Sequence, residues 1–318
     1  MNNIVVSPIF YMGNKKKLIA KGLCNLFPKD GIDTFYDLFA GSAIVSMNCL
    51  HQCKIVVNDI NPNLIKFYRM FQSEFAEAII THILNNIEKF GLKRTSVNQK
   101  SDAAEIYKSR YIALRDYANS SKDWKDIYTC MFYAFSQQMR FNGKGEFNMP
   151  FGNGAFTEQN EQYIRNGCEF FHTPNVVITN SDFRQIDIDK IDKHSFVYLD
   201  PPYFNTTATY NENAGWSIQD ELDLFTLCEQ LDSHGIKFGM SNVFQCKGKE
   251  NTHLIDWCEK CGWRVFTFDG FTYMACGKGN SQAKEVYICN YDLDVASATA
   301  VPQHRTTNFI LSKLQNCN

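Results

Sequence analysis

The sequence predicts an α/β fold: a mixed, mostly parallel sheet with helices on both faces, interrupted by a mainly helical insert that carries a β-hairpin. Three observations predict it. Short β-branched and aromatic runs alternate with helical stretches toward both ends of the chain. The strand pattern disappears between about residues 75 and 163. That gap closes on a glycine-containing segment with hairpin chemistry.

In chain order, Thr34-Phe35-Tyr36-Asp37-Leu38-Phe39 reads as a first strand, followed by Gly41-Ser42 and an apolar helix from Ala43 to about Cys49. Lys54-Ile55-Val56-Val57-Asn58-Asp59 is a second strand, after which Asn61-Pro62 opens a helix through Phe71. Helical stretches fill the insert, notably Ala103 to Tyr117 and Trp124 to Met139. The segment from Arg140 to Gly152 then offers Asn-Gly at a turn, aromatic residues on either side and a closing Pro150. Further strands are expected at residues 175–179, 195–199, 237–241, 264–268 and 285–289. The expected division is residues 1–74 and 164–292 for the two parts of the sheet domain, 75–163 for the insert and 293–318 for a polar tail.

A chain of 318 residues, 44% hydrophobic and 21% charged, has the composition of an ordinary soluble globular protein. No apolar run approaches the roughly 20 residues of a membrane span, and the N-terminus lacks the basic flank and apolar core of a signal peptide. A cytoplasmic protein with no membrane partner is expected. The twelve cysteines are scattered, and only Cys258-x-x-Cys261 has ligand-like spacing. No second pair follows it, so free thiols in a reducing compartment are the better account than a zinc site. A net charge of −2 does not announce a nucleic-acid binder. Local basic groups such as Lys15, Lys16, Lys17 and Lys21, or Arg140 and Lys144, still suit a phosphate backbone if the fold gathers them.

The most informative residues are Asp200-Pro201-Pro202-Tyr203, directly after the strand Ser195-Phe196-Val197-Tyr198-Leu199. Neither proline has an N–H to donate and both fix φ, so the strand stops and an acid and a ring are held rigidly beyond its carboxyl end. Ligands of open α/β sheets bind in that position. The set suits an exocyclic amine on a flat ring, with the carboxylate and a proline carbonyl accepting its hydrogens and the tyrosine stacked on the ring. Upstream, Asp37-Leu38-Phe39-Ala40-Gly41-Ser42 forms a strand-to-helix turn of small residues. Asp59 stands 18 residues after Gly41, near the spacing of an acid that holds ribose hydroxyls. The loop is too thin in glycine for a dinucleotide pyrophosphate, so it suits a nucleoside without phosphates and argues against a Rossmann-type oxidoreductase.

Together these segments resemble the Dam-type DNA adenine-N6 methyltransferases of bacteria and phages, in the order of the α group of amino-methyltransferases, over about residues 11–291. Tyr11-Met12-Gly13-Asn14-Lys15 is similar to that family's N-terminal cofactor motif, Asp37 to Ser42 to its methionine-binding loop and Asp59 to its ribose acid. Asn180-Ser181-Asp182-Phe183 resembles the segment beside the cofactor's adenine, and Arg140 to Gly152 the DNA-contacting hairpin. The resemblance implies a Rossmann-like class I methyltransferase sheet and S-adenosylmethionine as cofactor, with no metal. It implies a catalytic set of Asp200, Pro201, Pro202 and Tyr203, and cofactor contacts from Tyr11, Lys15, Asp37, Phe39, Gly41, Ser42, Asp59, Asp182 and Phe183. Contacts with double-stranded DNA would come from Arg140, Asn142, Lys144 and Pro150, and from Asn205 in the loop after the catalytic segment. A monomer is expected, with a dimer on DNA as the alternative.

Plainer readings stand beside these. Phe39 serves equally as core, Asp182 as a cap, Lys15 as a solvated lysine, and Arg140 and Lys144 as a solvated turn. The expected reaction is methylation of a flipped-out adenine at GATC or at a relaxed or altered site, in a setting such as restriction–modification. Relatives that act on GATC place a basic residue just after the hairpin's Pro-Phe-Gly, where this chain has Asn153-Gly154-Ala155-Phe156. Cytosine N4, an RNA adenine, or a silent nucleic-acid-binding relative are the alternatives. Asp rather than Ser at the head of the tetrapeptide favours adenine.

Overall fold

A computed structural model of the protein describes residues 4–49, 53–96, 103–204, 215–246, 248–272 and 282–293. It divides into two compact units. One takes Lys15–Ala40, Asn48–Ile60 and Ser181–Asn318; the other takes Met1–Asn14, Gly41–Met47 and Asn61–Asn180. The second unit is therefore wider than the insert expected over residues 75–163. Asn205 and the rest of its loop through Tyr210 lie outside the described residues, as does the tail from residue 294. Among the described residues no helix is long and apolar enough to cross a membrane.

The first unit is built on a sheet of β1 (Thr34–Asp37), β2 (Lys54–Asn58), β4 (Ser195–Leu199), β5 (Lys237–Cys246), β6 (Lys249–Glu250), β7 (Arg264–Thr272) and β8 (Gln282–Cys289); β3 (Val176–Thr179) belongs to the other unit. The order is β2-β1-β4-β5-β8-β7, with β6 paired to the end of β5. From β2 to β5 neighbours run parallel, and β8 inserts antiparallel between β5 and β7. The mixed, mostly parallel sheet read from the sequence is thus the one found. Every residue of β4 is buried, as a strand flanked by neighbours and covered on both faces requires.

On one face Val197, Leu199, Phe238, Met240, Val286 and Ile288 pack against two helices. These are α7 (Ile218–Ser233) and α8 (Thr252–Cys261), whose Phe225 and Trp257 rings stack at 4.3 Å. A Ser217–Asp220 capping box starts α7, and Gly262, at φ 71°, ends α8 just after Cys261. On the other face Phe27, after the short helix α1 (Lys16–Ala20) and a 3-10 turn, meets Phe35, Phe196, Tyr198 and Tyr287. The ten described cysteines are all free thiols.

The second unit is mainly helical: α2 (Pro62–Ser73), α3 (Ala76–Lys89), α4 (Ala103–Ser121), α5 (Trp124–Tyr133) and α6 (Glu158–Phe171). Asn61 caps α2 and Pro62 occupies its first position, as read from the sequence. Two expected helices differ. Residues 43–49 form turns, because Gly41 (φ 54°) and Ala43 (φ 58°) take left-handed backbone that a helix start excludes. The stretch expected to continue to Met139 stops at Tyr133, where Ala134 turns extended at ψ 155°, and Ser136 and Gln137 beyond it are both left-handed at φ 54°.

The hairpin forms. Asn142 and Gly145 close its turn, Phe141 bridges Phe147, and Phe151 bridges Ala134. Asn119 on α4 holds it like a neighbouring strand, its amide donating to the Phe147 carbonyl at 3.0 Å and accepting the Phe147 N–H at 2.7 Å. With two hydrogen bonds lost and a backbone donor stranded, Asn119→Ala should destabilise the protein by about 1–3 kcal/mol. Chemical denaturation would read that loss, and limited proteolysis would show faster cleavage within residues 140–148.

Candidate active site

The site follows from where β4 stops. Its neighbours β1 and β5 run parallel to it, so three strand ends converge, and Asp200 emerges between them just before the prolines. Pro201 is buried, while Pro202 and Tyr203 are half-buried. Lys15, immediately before α1, is only 5% exposed. Its Nζ lies 2.6 Å from Asp200 Oδ1 and 5.0 Å from the centroid of the Tyr203 ring. The solvated-lysine reading therefore gives way to an ion pair of a buried Lys15 with Asp200.

The Tyr203 hydroxyl also approaches Asp200 Oδ1, at 3.3 Å. Both contacts fall on Oδ1, so Oδ2 keeps its lone pairs for an incoming hydrogen-bond donor. Burial pushes the Asp200 carboxyl above the ordinary carboxylate range, and the Lys15 ammonium and Tyr203 hydroxyl hold it down. The result is a largely desolvated acceptor with one cation beside it. A second acid stands behind it. Glu285 of β8 is fully buried, and its Oε2 is 3.3 Å from the same Tyr203 hydroxyl. Burial pushes the Glu285 carboxyl up to about 8, against a downward pull from Lys15 and with a further upward push from Asp200.

Around the ends of β1 and β2, Asn58 ties three loops together. Its amide donates to the carbonyls of Leu38 and Ser181 and accepts from the Ser181 N–H and hydroxyl. Asp37 and Asp59 are both buried at these strand ends. Phe39, Phe183 and Trp216 form an aromatic group, with centroids 5.4–6.0 Å apart. The Trp216 indole N–H is fixed at 2.6 Å by Glu221, which is itself buried and bonded by Asn251. Asp182 accepts the Arg184 N–H at 2.8 Å and pairs with its guanidinium, so the capping reading holds for it.

Six of the nine expected cofactor residues (Lys15, Asp37, Phe39, Asp59, Asp182 and Phe183) lie in the sheet-bearing unit; Tyr11, Gly41 and Ser42 lie in the helical unit. There Tyr11 is half-buried, the Gly41 carbonyl accepts from the Tyr68 hydroxyl, and the Ser42 carbonyl accepts from Ser7.

Sequence reasoning missed Glu285, Asn58, Glu221 and Trp216. A polar residue inside an apolar strand was the available signal for the first two, at Glu285 in β8 and Asn58 at the end of β2.

In the hairpin, Arg140 and Lys144 are exposed. Arg140 is held by Asn148 through its side-chain oxygen and its carbonyl, each at 2.8 Å. Asn142 shapes the turn, accepting the N–H groups of Lys144 and Glu146. Pro150 is exposed, and its carbonyl takes the Phe135 N–H. The stretch beyond the hairpin turns inward: Ala155 and Phe156 are buried, and Phe156 packs edge-on against Phe132. At Gly154 a Cβ would come within 2.3 Å of the Phe132 carbonyl.

Against this geometry, comparison with known proteins is specific. The profile of the D12 class N6 adenine-specific DNA methyltransferases matches residues 11–263. The chain is 32% identical over 296 residues to the type II methyltransferase M.FokI of Planomicrobium okeanokoites, covering 91% of this chain and 43% of that one. It is 31% identical over 295 residues to the modification methylase StsI of Streptococcus sanguinis, with the same two shares. To the DNA adenine methylase of Salmonella typhi it is 25% identical over 240 residues, 71% of this chain and 74% of that one. The chain thus spans less than half the length of the first two relatives.

Proposed function

Because this chain belongs to the D12 class N6 adenine-specific DNA methyltransferase family, we propose that it methylates the exocyclic N6 of adenine in double-stranded DNA, with S-adenosylmethionine as donor. The observation that carries this is the Lys15–Asp200 pair at the carboxyl end of β4, with the Lys15 and Tyr203 contacts both on Oδ1, and with Oδ2 left to accept.

The residues present fit such a donor. The buried acid Asp59 suits ribose hydroxyls, the Phe39, Phe183 and Trp216 rings suit a purine, and Asp37 suits an ammonium. When bound, the donor supplies an electrophilic methyl on a sulfonium. The chain's own residues do the rest. The lone pair of an adenine amine is delocalised into its ring, so the amine is a poor nucleophile. An N–H donated to Asp200 Oδ2 and another to the Pro201 carbonyl favour the tetrahedral nitrogen, whose lone pair is then free for in-line attack. Asp200 need not be a strong base, since that nitrogen becomes acidic only after methylation. The target base must leave the duplex, and the Tyr203 ring replaces the stacking it loses.

For DNA contact we propose Arg140 and Lys144, exposed on the hairpin, with phosphate as the main partner of Lys144. Ala155 and Phe156 are buried and Gly154 has no room for a Cβ, so no basic side chain of the Dam type has a place at those three positions, while Asn153 is exposed. We propose a short adenine-containing site, GATC or a relaxed or altered form of it. Purified protein given duplex DNA and labelled S-adenosylmethionine should yield N6-methyladenine, identified by mass spectrometry of the digested DNA. Methylation-sensitive long-read sequencing after expression should report one short context. Product confined to cytosine, or found only with RNA, would overturn the reading.

A further inference from the structure

Among the described residues, the group around Asp200 contains two carboxyls, one ammonium and one hydroxyl. Tyr203 has a single hydroxyl proton, yet its oxygen lies 3.3 Å from both Asp200 Oδ1 and Glu285 Oε2. With both acids ionised, one of those contacts would set two acceptors against each other. Lys15 already pairs with Asp200 at 2.6 Å, so among the described residues one ammonium stands against two carboxyls. Glu285 Oε1 is fully buried with no hydrogen-bond partner among the described residues. A bare ionised oxygen in that position is costly.

Building on the methyltransfer reading, we infer that Glu285 is held as a neutral carboxylic acid whose proton is donated to the Tyr203 oxygen, which turns the Tyr203 proton onto Asp200 Oδ1. Glu285 is a positioning residue: it touches no substrate and acts through Tyr203. The chain Glu285→Tyr203→Asp200 has one direction only. It fixes the ring that receives the target base and saturates Oδ1, so that Oδ2 is the oxygen presented to the amine. Its carboxyl, pushed up to about 8, holds the proton at neutral pH. Bonds of 3.3 Å are long, and such contacts commonly tighten when substrate closes the site.

The expected signature is an alkaline limb. The groups facing Glu285 are Lys15, ahead of α1, and Asp200 and Tyr203, beyond β4. On β5 it stands opposite Val243, which packs with Cys246. When Glu285 loses its proton, two carboxylates compete for one hydroxyl and one ammonium, and turnover falls. Glu285→Gln cannot ionise and still offers an N–H to the Tyr203 oxygen. It should retain most of the neutral-pH kcat and lose the alkaline limb near pH 8, while KM for the methyl donor is unchanged. Glu285→Ala removes the donor and should lower kcat about tenfold across the whole profile.

Infrared difference spectra of wild type against Glu285→Gln add a readout that needs no turnover. A protonated-carboxyl stretch should be present at neutral pH and vanish as the pH passes about 8. Absence of that band at neutral pH overturns the inference, and so does an alkaline limb that survives in a folded Glu285→Gln. If wild type transfers no methyl group to DNA, the functional reading fails, and the infrared band alone decides the state of Glu285.

Discussion

Asp200→Ala is expected to abolish methyl transfer while leaving binding of the methyl donor largely intact. The side chain sits at the end of β4 and is the direct partner of Lys15, and in the proposed reaction it presents Oδ2 to the amine. Its removal takes away the acceptor that strengthens as positive charge develops on the attacked nitrogen. Deleting one such preorganised group typically costs on the order of 10²–10³ in kcat, and more when it also orients the substrate. Asp59 and the Phe39, Phe183 and Trp216 group are separate side chains, so donor affinity measured by calorimetry should change little. Asp200→Asn, which keeps an acceptor and loses the charge, should fall between the two. Full activity in Asp200→Ala would remove the basis of the mechanism.

Lys15→Met is the second large effect, and its sign with pH is distinctive. Methionine fills the space of the lysine stem but leaves Asp200 without its cation in a desolvated setting. Burial already pushes the carboxyl up; without the ammonium it rises further, because the largest downward influence has gone. A larger fraction of Asp200 is then protonated at neutral pH, and activity drops about tenfold for each unit by which its pKa exceeds the assay pH. Activity should therefore recover as the pH is raised.

Stability moves the other way. A carboxyl whose folded pKa lies above its unfolded value loses stability as pH rises through the folded value. The loss in Lys15→Met should therefore grow with pH, toward the roughly 3–5 kcal/mol typical of a broken buried ion pair. Denaturation at two pH values and a kcat profile test both halves together. A uniform loss of activity at all pH values would instead make Lys15 a donor ligand only.

Much of this was legible locally. Ser195 to Leu199 reads as a strand and is β4, because a short β-branched and aromatic run ended by two prolines has few other conformations. Asn61-Pro62 starts α2 for an equally local reason. The misreadings arose where backbone conformation overrode composition. Residues 43–49 and 134–139 have helical composition, but left-handed Ala43, Ser136 and Gln137 break the hydrogen-bond ladder a helix would need.

What the sequence by itself determined is the chemistry at one point: a rigid acid and ring beyond a strand end, in the order of elements the family shares. What only the tertiary structure decided is the electrical state of that acid. Lys15 is 185 positions from Asp200 by number and 2.6 Å from it in space. Glu285 joins through a β8 that inserts antiparallel between β5 and β7. Charge and protonation depend on burial and on neighbours in space, and neither is written in the spacing of residues along a chain.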